Sequence, residues 1–389
     1  MKIAILKERR PHETRVAATP ETVKKLKALG AEEIVIEAGA GLAAAYTDEA
    51  YAEAGASVVA DAATAMAAAD VVFKIQRPMS AAEGLDEIAL LRTGQTLISP
   101  LGALTNAELV SALAARGVTS FALELIPRIT RAQSMDILSS QANLAGYKAV
   151  LLAANNFGRI FPQMMTPGGT LAPARAFIMG VGVAGLQAIA TARRLGAIVT
   201  ATDVRPATKE QVQSLGAKFV AVEDGEFTAA ETAGGYAKEM SAEYRAKQAA
   251  LVAEHIAKQD IVITTALIPG RKAPVLVTED MVKTMKPGSV IVDMAVEQGG
   301  NCPLSEFGKV IEKYGVKIVG PANLAGELAT DSSALFSRNL LNFITPIVDK
   351  ETKALKIDLG DEVVKGTLVT QGGQIVHPSL SPTPATSQT

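Results

Sequence analysis

Ala174-Arg-Ala-Phe-Ile-Met-Gly-Val-Gly-Val-Ala-Gly185 is the stretch that decides the fold, and an acid follows it at Asp203. An apolar run that enters a glycine-rich turn and then a helical pattern is typical of a dinucleotide-binding α/β unit. A second apolar run, residues 197–202, predicts the neighbouring parallel strand and ends directly before the carboxylate. The spacing therefore predicts a strand, a tight turn, a helix and a second strand with an acid at its end.

Each glycine has a physical role in this prediction. Gly180 permits the turn, Gly182 lets the backbone approach a pyrophosphate, and Gly185 lets the helix lie close to the sheet. The N-terminus of the helix has a partial positive charge and N–H groups that suit a diphosphate. We expect Asp203 to accept hydrogen bonds from the ribose hydroxyls of an adenosine. The alternative is a glycine-rich turn that binds no ligand.

The composition restricts the class of protein. A chain of 389 residues is too long for one ordinary core and predicts two domains. The net charge of -2 and the dispersed lysines and arginines argue against a nucleic-acid partner. A single cysteine excludes an internal disulfide and fits a reducing cytosol. We find no signal-peptide pattern and no apolar run of membrane-spanning length in the sequence, and we expect the chain to be soluble.

Strand and helix patterns alternate along the chain. Residues 1–133 predict a βα repeat on a parallel sheet, and residues 134–157 a long connecting helix. Six predicted strands between residues 174 and 320 match a complete dinucleotide domain. Residues 161–171 predict a loop, and Gln371-Gly-Gly-Gln374 predicts a C-terminal β-hairpin. The predicted fold is α/β, with two Rossmann-like, doubly wound parallel-sheet domains: a discontinuous domain of residues 1–133 and 331–389, and a nucleotide-binding domain of residues 134–330.

Several further strings resemble the family of alanine dehydrogenases and nicotinamide nucleotide transhydrogenases. The N-terminal signature of that family is similar to Lys7-Glu-Arg-Arg10 with Glu13-Thr-Arg-Val-Ala17, and its central signature is similar to residues 128–147. The version Arg131-Ala-Gln-Ser-Met-Asp136 resembles the transhydrogenases in particular. Other strings similar to transhydrogenases are Gly180-Val-Gly-Val-Ala-Gly-Leu-Gln187, Ala230-Glu-Thr-Ala-Gly-Gly-Tyr-Ala237, Thr264-Thr-Ala-Leu-Ile-Pro-Gly270 and Ala295-Val-Glu-Gln-Gly-Gly-Asn-Cys-Pro303.

The resemblance covers essentially the whole chain and implies an NAD(H)-binding component of a proton-translocating transhydrogenase. Such a component presents NADH for hydride transfer to NADP⁺ on a partner, while the full complex moves protons across the membrane. The implied partners are a membrane-spanning subunit and an NADP(H)-binding subunit, and the chain is implied to form a homodimer. Its implied location is cytoplasmic, peripheral on the cytoplasmic face of the inner membrane through those partners. We predict neither a metal site nor a nucleic-acid partner.

The resemblance also assigns roles to individual residues. The predicted catalytic residues, at the nicotinamide end, are Arg128, Gln133, Asp136 and Ser139. The predicted cofactor-binding residues are Gly180, Gly182, Val183 and Gly185 at the pyrophosphate, Asp203, Val204 and Arg205 around the adenosine ribose, Gly235 and Tyr236 in a loop, and Gln248 and Leu267 near the adenosine and nicotinamide sides. That loop, residues 224–240, is predicted to be mobile and to close over NAD(H). The alternative is an ordinary surface loop.

The chemistry of the residues predicted at the nicotinamide end agrees with these roles. A nicotinamide carboxamide offers two N–H donors and one acceptor oxygen, and Gln133, Asp136 and Ser139 supply partners of both kinds. Their spacing of three residues places them near one face of a helix or turn. Arg128 is able to pair with Asp136 and to fix its orientation. A helix-capping and salt-bridge cluster at a domain junction is the alternative.

The acid at the end of the second strand bears on the choice of cofactor. A carboxylate at Asp203 repels a 2′-phosphate and favours NAD(H). Arg205 is an opposing signal, because an arginine close to this position is able to receive that phosphate. We expect Asp203 to determine the choice of cofactor, because it lies at the strand end where the ribose binds.

Two other functions remain open. An alanine dehydrogenase shares Arg15 and Lys74, which contact the substrate in that family. Pro100 stands where its catalytic histidine is expected, and Glu297 stands where its catalytic aspartate is expected. A module that senses NAD(H) without chemistry would carry the same binding residues, because a domain that only positions NADH looks the same in sequence.

Overall fold

The structure, a computed structural model, describes residues 1–228, 240–268 and 270–380. The chain forms two compact units. Unit 1 consists of Met1–Gln141 and of the described residues from Gly326 onward, and unit 2 consists of Ala142–Ala325. The first unit is therefore discontinuous in sequence.

The observed division differs from the sequence boundaries, 133/134 and 330/331, because both flanking segments bind to unit 1. The helix that starts at Ile137 begins in unit 1 and ends in unit 2. In its first turn, Ser140 Oγ donates to Asn339 Oδ1 (2.7 Å). At the second boundary, Thr14 Oγ1 donates to the carbonyl oxygen of Gly326 (2.5 Å).

The described residues contain seventeen strands in chain order. These are β1 Lys2–Ile5, β2 Glu33–Glu37, β3 Ser57–Val59, β4 Val71–Phe73, β5 Thr96–Ser99, β6 Thr119–Ala122, β7 Met164–Thr166, β8 Gly169–Leu171, β9 Arg175–Met179, β10 Ile198–Thr202, β11 Lys218–Phe219, β12 Ile261–Thr264, β13 Val290–Asp293, β14 Lys309–Lys313, β15 Val316–Gly320, β16 Leu368–Gln371 and β17 Gln374–Ile375.

The α-helices alternate with these strands over most of the described chain. They are α1 Pro20–Leu29, α2 Asp48–Glu53, α3 Ala62–Ala67, α4 Glu87–Leu90, α5 Ala107–Ala115, α6 Ile137–Asn156, α7 Val183–Arg194, α8 Thr208–Ser214, α9 Gly225–Thr228, α10 Ala242–Ile256, α11 Glu279–Thr284, α12 Ala329–Ile344 and α13 Glu362–Thr367.

Unit 1 is built on an eight-stranded sheet in the order β17-β16-β6-β5-β4-β1-β2-β3. Strands β1 to β6 are parallel, and the C-terminal hairpin β16–β17 adds antiparallel strands next to β6. The strand order reverses at β1, so the switch point of this doubly wound sheet lies between β1 and β4. The predicted C-terminal hairpin is confirmed.

Both faces of this sheet are covered, which explains its apolar strands. Ile3 and Ile5 belong to one buried cluster, whereas Ala4 and Leu6 belong to another, as the two-residue period of a strand requires. Helix α12 contributes Phe343 to the first cluster. Helix α12 therefore belongs to the core of unit 1.

Unit 2 is built on a seven-stranded sheet in the order β11-β10-β9-β12-β13-β15-β14. Six strands are parallel, and the order reverses at β9, so the switch point lies between β9 and β12. The predicted six-strand count for this domain was too low, because β14 pairs antiparallel with β15 at the edge of the sheet. The sequence did not indicate β14, because this strand contains two lysines and a glutamate and has no buried apolar run.

The segment predicted as a loop, residues 161–171, contains a short antiparallel hairpin of β7 and β8. All six strand residues are exposed, including Met165, which is 79% exposed. A strand with no buried face has no alternation of apolar and polar residues, so this hairpin left no periodic signal in the sequence.

A buried ionic cluster lies at the switch point of the unit 1 sheet. Lys74 follows β4, is 2% exposed, and donates to Glu8 (3.1 Å) and to Glu87 (3.0 Å). Glu8 also accepts a hydrogen bond from the backbone N–H of Ile75 (2.7 Å). Burial raises the pKa of Glu8, against the opposing charge of Lys74. The cluster therefore depends on its single lysine.

We expect Lys74→Met to destabilise the fold strongly, because it leaves Glu8 and Glu87 buried without their cation. The free energy of unfolding should fall by about 3–5 kcal/mol, the typical cost of breaking a buried ion pair. Urea titration followed by circular dichroism measures this loss. Lys25→Met, which removes an exposed pair with Glu21, is the control and should leave stability almost unchanged. Equal stability of the two variants would contradict the role of the cluster.

Candidate functional site

The glycine-rich turn lies at the carboxyl end of β9, beside the switch point of the unit 2 sheet. Gly180 has φ +103°, a conformation that side chains disfavour. Helix α7 follows so closely that a Cβ atom on Gly185 would lie 1.9 Å from the carbonyl oxygen of Gly180. The roles predicted for both glycines, in the turn and in close packing, agree with this geometry.

Gly182 behaves differently from the other two glycines. It is the N-cap of α7, and a Cβ atom placed on it would meet nothing within 4 Å. Val183, the first helical residue, is 39% exposed. The N-terminal end of α7 is therefore open at Gly182 and Val183, where the N–H groups of the first turn and the positive end of the helix dipole lie. This arrangement suits an anionic group such as a diphosphate.

Asp203 lies one residue beyond β10, where the sequence predicts it, and its carboxylate is well supplied with donors. Oδ2 accepts from the backbone N–H of Val181 (2.7 Å), inside the glycine-rich turn. Arg205 donates to Oδ1 through its backbone N–H and its Nε (both 2.9 Å), and to Oδ2 through Nη2 (3.0 Å). Asp203 thus stabilises the turn and is hydrogen-bonded to Arg205. Val204, between the two, is 58% exposed.

Sequence reasoning missed the bond from Val181 to Asp203. The residues are 22 positions apart, and a backbone donor has no sequence signature. A ribose hydroxyl at Asp203 would share its carboxylate with these donors.

The loop that follows β12 lies against the same turn. Thr265 Oγ1 donates to the carbonyl oxygen of Gly180 (3.1 Å). Leu267, two residues further on, is 48% exposed. The loop therefore brings an exposed apolar side chain to the same end of the sheet as the glycine-rich turn.

Gln248, on α10, connects the end of β10 with the segment that follows β11. Its Oε1 accepts from the backbone N–H of Val222 (2.8 Å), and its Nε2 donates to Thr202 Oγ1 (3.2 Å). Thr202 directly precedes Asp203. Gln248 thus supports the end of β10 by hydrogen bonds within the protein.

The four predicted catalytic residues all lie in unit 1, and Ser139 is in the first turn of α6. Arg128 and Gln133 are exposed, and Gln133 belongs to a 3₁₀ helix, Thr130–Met135. Asp136 precedes α6 and accepts from the backbone N–H of Ser139 (3.0 Å) and from its hydroxyl (2.6 Å). Asp136 therefore caps α6 and is hydrogen-bonded to Ser139.

The predicted mobile loop, residues 224–240, is described only at its two ends. Helix α9 occupies Gly225–Thr228, and Met240 is buried. Glu226 accepts from the backbone N–H and the hydroxyl of Ser241, which ties the two ends together. Gly235 and Tyr236 lie outside the described residues.

These features define the class of the protein. Unit 2 has a doubly wound parallel sheet, a glycine-rich turn at its switch point, an open helix N-terminus and an acid at the end of the adjacent strand. That combination is the one found in dinucleotide-binding α/β proteins.

Comparison with known proteins identifies the family. A family model described as alanine dehydrogenase/PNT, N-terminal domain, matches residues 4–145, and the corresponding C-terminal domain model matches residues 149–378. The chain belongs to the alanine dehydrogenase/PNT family, and the resemblance found in the sequence is confirmed. The expected fold class is confirmed as well.

The relatives named as transhydrogenases are more similar to this chain than the relative named as an alanine dehydrogenase. The first part of NAD(P) transhydrogenase subunit alpha from Rhodospirillum rubrum is 62% identical over 381 residues, which are 98% of this chain and 99% of the relative. The crystal structure of transhydrogenase from Sinorhizobium meliloti matches with a TM-score of 0.87 and 54% identity, over 97% of this chain and 100% of that one. Alanine dehydrogenase of Methanococcus maripaludis is 30% identical over 392 residues, or 98% and 96% of the two chains.

Among the residues that the structure describes, none of the helices has the length and apolar character needed to cross a membrane.

We expect two glycine substitutions in the same turn to separate folding from binding. Gly185→Ala places a methyl group against the Gly180 carbonyl and should lower the free energy of unfolding by about 1–3 kcal/mol. Gly182→Ala adds a methyl group in open space and should change stability by less than about 1 kcal/mol. It should nevertheless weaken NADH binding by more than about tenfold, because the methyl group would enter the space that we predict for a pyrophosphate. Thermal unfolding and calorimetry measure the two effects, and normal NADH affinity in Gly182→Ala would contradict this site.

Proposed function

We propose that this chain is the NAD(H)-binding component of a proton-translocating transhydrogenase. It presents NADH for direct hydride transfer to NADP⁺ on a partner subunit, and the full complex couples this transfer to proton translocation. The observation that carries the proposal is the 62% identity, over nearly the full length of both chains, to the first part of an NAD(P) transhydrogenase alpha subunit. The open N-terminus of α7 at the glycine-rich turn supports it.

The chain's own residues account for a preference for NAD(H). The N–H groups that begin α7 bind the pyrophosphate, and Val183 lies beside it. Asp203 and Val204 bind the adenosine ribose, where a 2′-phosphate would face the carboxylate. Arg205 does not reverse this preference, because its guanidinium group is already hydrogen-bonded to Asp203. NADP(H) is accordingly bound by the partner subunit.

The nicotinamide end is assigned to Arg128, Gln133, Asp136 and Ser139. Gln133 offers both an amide donor and a carbonyl acceptor, which is the complement of a carboxamide. The hydrogen bond between Ser139 and Asp136 fixes the orientation of the carboxylate. Gly235 and Tyr236 are assigned to cofactor binding, Leu267 to the nicotinamide side of the nucleotide and Gln248 to its adenosine side.

The proposed reaction needs orientation rather than acid–base chemistry. Hydride transfer between two nicotinamide rings moves no substrate proton, so no general base is required. The protein has to hold the rings near contact and to exclude water. The partners are a membrane-spanning subunit, which contains the proton path, and an NADP(H)-binding subunit. The chain acts as a homodimer, bound peripherally to the cytoplasmic face of the inner membrane through these subunits.

Alanine dehydrogenase is the second candidate, because the family contains such enzymes. Lys74 and Arg15, which contact the substrate there, have their charges balanced by internal carboxylates in this chain. Lys74 pairs with Glu8 and Glu87, and Arg15 pairs with Glu13 (2.7 Å). Together with Pro100 in place of a histidine, these pairs favour the transhydrogenase function.

Nucleotide titration tests the cofactor assignment. We expect NADH to release measurable heat on binding and NADPH to release little, because Asp203 repels the 2′-phosphate. Asp203→Asn should reduce the preference for NADH by about tenfold, equivalent to about 1.4 kcal/mol. Glu223→Gln, which removes an exposed carboxylate paired with Lys209, is the control and should leave the preference unchanged. Tight NADPH binding without NADH binding would overturn the proposal.

Hydride transfer tests the activity. We expect the chain, mixed with an NADP(H)-binding transhydrogenase subunit, to transfer hydride from NADH to an oxidised NADP analogue, as followed by stopped-flow absorbance. Gln133→Ala should slow the transfer by about tenfold through the loss of one hydrogen bond, with little loss of stability because Gln133 is exposed. An absence of transfer would favour a sensor of NAD(H). NADH formation from alanine and NAD⁺ by the chain alone would favour an alanine dehydrogenase.

A further inference from the structure

A buried carboxylate organises the loop that follows β13 in unit 2. Asp293, the last residue of β13, is 0% exposed. Its oxygens accept five hydrogen bonds, from the donors Thr264 Oγ1 (3.1 Å), Ala295 N (3.1 Å), Asn301 N (3.1 Å), Cys302 N (3.0 Å) and Ser305 Oγ (2.7 Å). The carboxylate thereby folds residues 295–305 back over the end of β13 and fixes the backbone at Asn301.

The side chain of Asn301 connects this loop to the one that follows β12. Asn301 is also 0% exposed. Its Oδ1 accepts from the backbone N–H of Ala266 (3.1 Å), and its Nδ2 donates to the carbonyl oxygens of Ala266 (2.9 Å) and Pro274 (2.7 Å). The amide therefore engages both polar backbone atoms of Ala266, much as a neighbouring strand would.

Ala266 lies between a residue that contacts the glycine-rich turn and one that is exposed beside it. Thr265 Oγ1 donates to the Gly180 carbonyl oxygen, and a Cβ atom on Gly180 would lie 3.2 Å from the backbone nitrogen of Ala266. Leu267 directly follows. Asn301 thus holds the backbone between Thr265, which is bonded to the turn, and the exposed Leu267.

We propose that Asn301, fixed by Asp293, is a positioning residue for nucleotide binding that acts through Leu267. The inference rests on the proposed function and adds to it a residue that does not contact the nucleotide. A loop held in its binding conformation loses less conformational entropy when the ligand arrives, so Asn301 increases affinity without a contact of its own. Because Leu267 is assigned to the nicotinamide side, the effect falls on NADH rather than on its adenosine half.

The test compares NADH with ADP, which retains the adenosine and the diphosphate but lacks the nicotinamide. We expect Asn301→Ala to weaken NADH binding by about tenfold and ADP binding by less than about threefold. Gln259→Ala is the matched control: Gln259 is another buried amide, at the amino end of β12, and donates to the carbonyl oxygen of His255 (3.0 Å). It should lower stability while leaving both nucleotide affinities unchanged.

A double-mutant cycle separates positioning from general destabilisation. Leu267→Ala should reproduce the selective loss of NADH affinity, and the double variant Asn301→Ala/Leu267→Ala should lose no more than the larger single effect. Additive losses would show that Asn301 does not act through Leu267 and would overturn the inference. Equal losses of NADH and ADP affinity would also overturn it, because they would indicate a merely structural role.

A less disruptive substitution tests the same inference if Asn301→Ala does not fold. Asn301→Ser keeps a polar side chain at this position, but one too short to bond both backbone atoms of Ala266 as the amide does. We expect it to weaken NADH more than ADP, and unchanged NADH affinity would overturn the inference. Wild-type protein that binds ADP but not NADH, or neither nucleotide, would instead refute the proposed function, and the inference with it.

Discussion

The close approach of α7 to the end of β9 is the constraint on which the nucleotide-binding unit depends. It requires that Gly185 have no side chain, because a methyl group there would overlap the carbonyl oxygen of Gly180. The turn between them is bonded to both flanking strand ends: Val181 donates to Asp203 after β10, and Thr265 after β12 donates to Gly180. Three adjacent strands thus converge on one short peptide segment.

Much of this unit could be predicted from the sequence, because the relevant signals are local. The apolar run before Gly180, the spacing of the glycines and the acid at Asp203 all lie close together along the chain. The pairing of Arg205 with Asp203 is just as local, but the sequence could not distinguish an arginine available to a phosphate from one hydrogen-bonded to the neighbouring carboxylate. That distinction depends on side-chain geometry, in which Arg205 makes three of its hydrogen bonds to Asp203.

The remaining features could not be predicted, because their partners are distant in sequence or their strands lack a buried face. Asn301 pairs with Ala266 across 35 residues, and the recognised string Ala295–Pro303 contained no indication of this contact. Likewise, the sequence identified Lys74 only by resemblance, whereas its two glutamate partners lie 66 and 13 residues away. The hairpin β7–β8 could not be predicted because its strands have no buried face.

The two outer strands of the unit 2 sheet also affect how the protein behaves at high concentration. An edge strand offers unpaired N–H and C=O groups, and neighbouring molecules can add to it and form aggregates. Here one edge, β11, is only two residues long, and the other, β14, carries lysines at both ends with Glu312 beside the second. Short length and charged side chains both discourage such association, so a concentrated solution of this protein should resist fibril growth at these edges.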